Sequence, residues 1–170
     1  MFFEGAKVVP EGFVDLGLPS GTLWSTKNIG ATNGDTAESW YGNYYAWGEL
    51  ETKTNYSWST YKYGSRTTLT KYCNDSEYGK EGYTDKLTQL VPADNVATIT
   101  NSAWRMPTEA ELNELKALPN KWIKNYDPSK TEHTTDDGGI QGLNGRLFTG
   151  ENGNTLFILA AGYYYDGSKI

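Results

Sequence analysis

A chain of 170 residues with a formal net charge of −6 is long enough for one domain with a core of its own, and it carries no basic stretch of the kind a nucleic-acid partner requires. Only 37% of the residues are hydrophobic, against 19 Gly and 13 Tyr, which disfavours a helical bundle and favours an irregular all-β or α+β domain with an aromatic core and many loops. The single cysteine, Cys73, excludes an intrachain disulfide framework, and no segment approaches the ~20 apolar residues that span a membrane.

In chain order, residues 1–12 read as a short leader punctuated by Pro10 and Gly12. Phe13 to Leu18 is expected as a strand, Leu18-Pro19-Ser20-Gly21 as a turn and Leu23 to Ile29 as the partner strand. Asp35 to Tyr41 is expected as a first helix, with Asp35 or Thr36 as cap and Gly42 as its end. Tyr44 to Trp47 reads as a short aromatic strand. Residues 50–86 are polar and without sustained period, and are expected to form a long ordered loop carrying Tyr56, Trp58, Tyr61 and Tyr63. Pro92 to Thr98 adds a helical turn.

Residues 104–115 form the most informative run. Pro107 biases Met106 towards an extended conformation. Thr108 and Glu111 have the spacing of a capping box, and Leu112, Leu115 and Leu118 recur as a buried helical stripe that ends before Pro119. Asn125 to Gly139 is loop-like and acidic around Asp136 and Asp137. Arg146–Glu151 and Asn154–Leu159 flank Asn152-Gly153, the signature of a hairpin with a two-residue type I′ turn. The nearly apolar Leu156 to Ala161 segment reads as a central strand buried on both faces, with Leu156 and Ile158 shielded from solvent.

Several groups invite a chemical reading. His133 with Asp136 and Asp137 offers oxygen and nitrogen ligands for a cation such as calcium, but the spacing fits no known loop pattern, and a solvated loop is the simpler expectation. Glu49 and Glu51 have the look of a carboxylate pair, yet two acids this close in a strand-to-loop passage are expected as surface charge. Ser20 sits in a turn without a nucleophile elbow, and a single histidine leaves no room for a triad. Cys73 is expected as a small, partly buried side chain. Trp40, Tyr41, Tyr44, Tyr45 and Trp47 are expected to build the core.

The Trp104-Arg105-Met106-Pro107-Thr108-Glu109-Ala110-Glu111 run resembles the segment that leads into the second helix in one branch of the C-type-lectin fold. Val14-Asp15-Leu16-Gly17-Leu18-Pro19-Ser20-Gly21-Thr22-Leu23-Trp24 resembles the opening of the Fibrobacter succinogenes major paralogous domain family, abundant in gut Bacteroidetes. Asn28-Ile29-Gly30-Ala31, Tyr41 to Glu49, and Gly153-Asn154 to Tyr163 are similar to its later segments, in the same order. The resemblance implies an α+β, C-type-lectin-like domain over 13–170, with two helices, short antiparallel sheets and long loops. It also implies a non-enzymatic binding or adhesion module outside the cell, without cofactor or metal, whose partner is a protein or glycan on a cell surface. The calcium motifs of sugar-binding lectins are absent. A similar run occurs in formylglycine-generating enzymes, but one Cys and one His argue against that oxidase chemistry and for Trp104 and Arg105 as scaffold, with Arg105 bonded to backbone or to a carboxylate such as Glu109.

In the resembled family further strands follow the Ala-Ala-Gly-Tyr segment and carry the ligand-facing loops, which in relatives diversified by reverse transcription hold the variable residues. No such strands occur before Ile170, so they are expected further along the chain or from a neighbouring chain, with the edge of the Leu156–Ala161 strand exposed in their absence. Tyr163, Tyr164, Tyr165 and Asp166 are then the candidate ligand-binding residues, with packing under those strands as the alternative. Met1 to Lys7 does not read as a signal peptide, although family members are commonly exported. This points to a trimmed chain or to a phage virion adhesin or decoration protein, which leaves the cell by lysis.

Overall fold

The computed structural model describes residues 8–165 and 167–170. The elements in chain order are β1 (Phe13–Asp15), β2 (Leu23–Ser25), α1 (Glu38–Tyr41), α2 (Val96–Thr100), α3 (Glu109–Ala117), β3 (Asn120–Ile123), β4 (Gly145–Thr149), β5 (Thr155–Leu159), β6 (Tyr164–Tyr165) and β7 (Ser168–Lys169). All sheet pairings are antiparallel: β1 with β2, β3-β4-β5 in that order, and β6 with β7. This is a small α+β protein with short helices and several short sheets. The chain divides into two compact units, one comprising the described residues up to Gly42 with Glu109–Ala161, the other Asn43–Thr108 with Gly162–Ile170.

The first unit is organised by its three-stranded sheet. Alternate residues of a strand face opposite sides, and each side carries its own core. Phe148 and Leu156 point into a cluster with Leu16, Leu18 and Leu115. Phe157 and Leu159 point the other way and pack against Ala37, Trp40 and Leu143. Leu156 to Ala161 thus contributes to two cores, but it is not a central strand. β4 is central, and β5 has β4 as its one strand neighbour among the described residues. The register leaves Ile158 opposite Arg146 and Trp122 in an uncovered row, and Ile158 is 38% exposed where the sequence reading expects burial. The bonds Gly150 N–H to Asn154 C=O and Ala160 N–H to Asn144 C=O fix the phase of the ladder. The backbone groups of Thr155, Phe157 and Leu159 therefore face away from β4.

The hairpin turn also differs from expectation. Gly153 N–H donates to Gly150 C=O (3.0 Å), so the loop has three residues, Glu151 to Gly153, with Gly153 at φ 84°. This is a type I turn with a glycine bulge rather than type I′. Asn152 stays out of the left-handed region because its side chain is otherwise engaged. Its Nδ2 donates to Asp15 C=O (2.9 Å) and its Oδ1 accepts from Asn154 N–H (3.1 Å), tying the hairpin to β1.

The helix expected from Thr108 forms over Glu109–Ala117, but its inward stripe is Glu111, Leu115 and Leu118, and Leu112 is 40% exposed. The inward place one turn before Leu115 goes to Glu111, whose carboxylate accepts from Thr22 Oγ1 (2.7 Å). Nearby, Ser20 N–H donates to Glu114 (3.3 Å), so the Leu18–Gly21 turn is fastened to α3. The first helix is shorter than expected and starts from Ala37, with no side-chain cap from Asp35 or Thr36; Gly42 ends it at φ 71° as anticipated. Tyr44–Trp47 forms no strand, and the strand expected over Leu23–Ile29 stops at Ser25.

Candidate functional site: an aromatic groove in the second unit

The second unit is held by rings and phenol hydroxyls more than by strands. Tyr44–Trp47 is no strand: the carbonyls of Tyr44 and Trp47, and of Gly48 after them, are taken by hydroxyls of the long loop instead. Tyr56 Oη donates to Tyr44 C=O (2.6 Å), Tyr61 Oη to Trp47 C=O (2.9 Å) and Tyr63 Oη to Gly48 C=O (3.2 Å). Burial pushes the Tyr61 and Tyr72 phenols up, so both stay protonated at neutral pH. The same rings form a continuous edge-to-face series, Trp58–Tyr61, Tyr61–Tyr63, Tyr63–Tyr72 and Tyr72–Trp47, with centroids 5.7–6.2 Å apart. This geometry suits ring quadrupoles.

Charges fix the series from below. Buried Glu49 accepts from Lys53 Nζ (2.7 Å) and from Lys62 N–H (2.9 Å). Glu49 is therefore not surface charge, whereas Glu51 is exposed as expected. Buried Asp94 accepts from Lys71 Nζ and from Tyr72 Oη (2.8 Å). Burial raises the Asp94 carboxyl, but the hydrogen bonds from Lys71 and Tyr72 outweigh it and hold it below the ordinary carboxylate value. Lys71 also lies over the Tyr63 and Tyr72 rings, 5.4 and 5.3 Å from their centroids. Tyr72 itself has φ 56°, costly for a non-glycine residue. Asp85 retains that conformation by accepting from Tyr72 N–H (2.7 Å) and Cys73 N–H (3.0 Å).

One face of this framework is a groove of about 410 Å³ lined by Trp58, Arg66, Leu69, Tyr72, Cys73, Asn74, Asp75 and Tyr78. Trp58 and Tyr78 remain 44% and 42% exposed, while Cys73 is buried in the lining with its thiol donating to Asp75 C=O (3.1 Å). Leu69 and Tyr78 are brought together by a two-way backbone bridge, Leu69 N–H to Tyr78 C=O and Lys80 N–H to Leu69 C=O. Of these residues, sequence reasoning singled out Trp58 and Cys73 and passed over Arg66, Leu69, Tyr72, Asn74, Asp75 and Tyr78. A pairing of two isolated segments leaves no periodic signal.

The four C-terminal candidates separate. Tyr164 packs inward, with Tyr56 (4.6 Å) and Tyr44 (5.2 Å) against its ring. Tyr163 and Tyr165 flank it on the opposite face, 60% and 65% exposed. Asp166 lies outside the described residues. Tyr163 N–H and Ile170 N–H each donate to the other's carbonyl, closing β6 and β7 into a hairpin that the sequence reading did not anticipate.

The other candidates are structural. The His133 loop is not simply solvated: the His133 and Asp137 side chains are 6% and 0% exposed, with Nδ1 2.6 Å from Oδ2. Asp137 also accepts from Thr134 N–H (2.9 Å) and Asp127 N–H (3.2 Å), and His133 stacks on Tyr126, which stacks on Phe157. Arg105 donates to Met106 C=O (3.2 Å). Among the described residues no three His, Cys, Asp or Glu side chains gather as a metal cage, and no helix is long and apolar enough to cross a membrane. Set against family models, curated proteins and solved structures, the chain finds no match in any of the three comparisons.

Proposed function

We propose that this chain is a non-enzymatic binding or adhesion module working outside the cell, on a scaffold of the C-type-lectin-like type. The observation that carries the reading is the distribution of aromatic surface. Among the described residues Trp47, Trp58, Tyr78, Tyr83, Tyr163 and Tyr165 of the second unit are all exposed, whereas the first unit exposes only Trp122. Rigid rings with a polar tip are effective contact surfaces, since they bury much area at little cost in conformational entropy. The buried acids Glu49, Asp94, Glu111 and Asp137 are all engaged in holding loops together, which favours binding over acid–base chemistry. The resemblance over Val14–Trp24 and Trp104–Glu111 supports the scaffold type, and an early strand pair, a helix after Thr108 and a following hairpin are compatible with it. A virion adhesin of the same type is the neighbouring reading.

The test is saturable binding of the fluorescently labelled chain to a panel of bacterial and epithelial cells by flow cytometry, alongside Trp58→Ala and Tyr165→Ala. We expect saturable binding by the parent and a loss of about tenfold or more in at least one variant, the scale of an aromatic hot spot. No saturable binding to any cell, or binding untouched by both substitutions, would reject the reading.

A further inference from the structure

The groove bounded by Trp58 and Tyr78 has the make-up of a protein–protein hot spot, and we infer that its occupant is a protein segment presenting an apolar side chain next to a carboxylate. The inference rests on the binding-module reading and adds the chemistry of the partner. Three observations carry it.

The first is the lining. Trp58, Leu69, Tyr72, Cys73 and Tyr78 supply an apolar floor and two exposed aromatic walls. An aliphatic or aromatic side chain asks only to be covered and suits the floor that Leu69 and Cys73 supply; a sugar would have Arg66, Asn74 and Asp75 for polar partners, and the oligosaccharide arm of the test below separates the two. Trp, Tyr and Arg together are the residue types that dominate binding energy in protein interfaces.

The second is charge. Arg66 is exposed at the groove and has no hydrogen-bond or ion-pair partner among the described residues, although Asp75 lines the same groove. Asp75 Oδ1 instead accepts from Glu77 N–H (3.0 Å), and the Asn74 carbonyl accepts from Lys86 Nζ (2.7 Å). A guanidinium presents a planar fork that matches a carboxylate with two parallel hydrogen bonds. An exposed arginine without an ion pair among the described residues, beside an apolar groove, offers a bidentate contact to an acidic neighbour on the partner.

The third is preorganisation. The Trp58 ring is set edge-to-face on Tyr61, the Tyr72 backbone is retained by Asp85, and the Tyr78 carbonyl accepts from Leu69 N–H beside the Lys80 N–H to Leu69 C=O bond. Ordering these walls is therefore not charged against binding.

The experiment is selection of a displayed random heptapeptide library on the full chain, on Trp58→Ala and on Arg66→Glu, with near-UV circular dichroism of each variant to verify its fold. The parent is expected to enrich peptides with an apolar residue adjacent to Asp or Glu, and Trp58→Ala none of them. Arg66→Glu should bind the enriched peptides about tenfold more weakly and select Lys or Arg in the acidic position. Such a charge swap cannot come from a merely structural role for Arg66. An unchanged acidic consensus on Arg66→Glu overturns the inference, as does Trp58-dependent binding of oligosaccharides with no enriched peptide. Saturable cell binding without any enriched peptide sinks the partner chemistry and leaves the binding-module reading standing; loss of both sinks both.

Discussion

Asp137→Asn isolates the contribution of one buried carboxylate to the 124–137 loop. Asp137 Oδ1 accepts from Thr134 N–H, while Oδ2 accepts from Asp127 N–H and faces His133 Nδ1, which carries its proton towards the carboxylate. An asparagine has the same shape but one acceptor oxygen. Whichever way the amide turns, its NH₂ meets a backbone N–H that then has no partner in a site closed to water. Orphaning one buried N–H costs about 1–3 kcal/mol, and replacing charge-assisted bonds by neutral ones costs on the order of 1 kcal/mol more. A loss of roughly 2–4 kcal/mol shifts a urea midpoint by about 1–2 M at the denaturant sensitivity usual for small proteins. Hydrogen exchange should place the effect locally, with the Asp127 or Thr134 amide losing protection ahead of β4. The pH dependence has a definite sign. Burial raises the Asp137 carboxyl, but the bonds from His133, Thr134 and Asp127 outweigh it and hold it below the ordinary carboxylate value. A depressed folded-state pKa confers stability that is complete above the unfolded value, about 3.9, and lost as pH falls through the folded one. The parent should therefore weaken in acid below about pH 4, and the variant should show a shallower decline there. A midpoint shift under about 0.3 M, or identical acid limbs, would mean that Asp137 does not organise the loop.

Three further outcomes follow from the first and second units. Leu156→Ala should cost about 2–5 kcal/mol in chemical unfolding and Ile158→Ala under about 1 kcal/mol; equal costs would contradict the exposure of Ile158 in its uncovered row. Gly145→Ala should prevent stable folding, because its Cβ would lie 2.3 Å from Ile158 O and 2.7 Å from Leu159 Cα, and a native-like amide spectrum would refute the close approach of β4 and β5. Tyr164→Ala should loosen the β6–β7 hairpin, read as faster exchange of the Ile170 amide, while Tyr165→Ala leaves that exchange unchanged.

Local signals in the sequence translated well where one residue decides the conformation. Gly42 ends α1, Pro119 follows α3, and the Leu18–Gly21 turn and the β4–β5 hairpin lie where turn chemistry puts them. The failures share a physical origin: a distant partner overrode a local preference. Asn152 has a strong propensity for the type I′ turn but spends its amide on Asp15, so the loop takes a third residue. Leu112 fits the helical stripe by spacing, yet Thr22 draws Glu111 inward in its place. Tyr44–Trp47 has strand composition, but the tyrosine hydroxyls of the following loop take the carbonyls that a ladder would use. β3 was invisible because Asn120–Ile123 has only Ile123 buried, its place being set by β4. The groove was half legible, since composition flagged Trp58 while the crossing that brings Tyr78 and Arg66 to it leaves no pattern in one dimension.

Among the described residues the outward edge of β5 has no strand partner, which bears on behaviour in concentrated solution. From Asn154 to Gly162 the chain holds no charged residue and no proline, the usual gatekeepers that keep one strand from adding to another. What separates two such edges at a distance is the net charge of −6 spread over the rest of the chain. That repulsion acts over about 30 Å at 0.01 M ionic strength and only about 8 Å at 0.15 M. Among the described residues no strand covers that edge, so added salt, which leaves the buried cores untouched, is expected to favour pairing between molecules through the backbone of Thr155, Phe157 and Leu159.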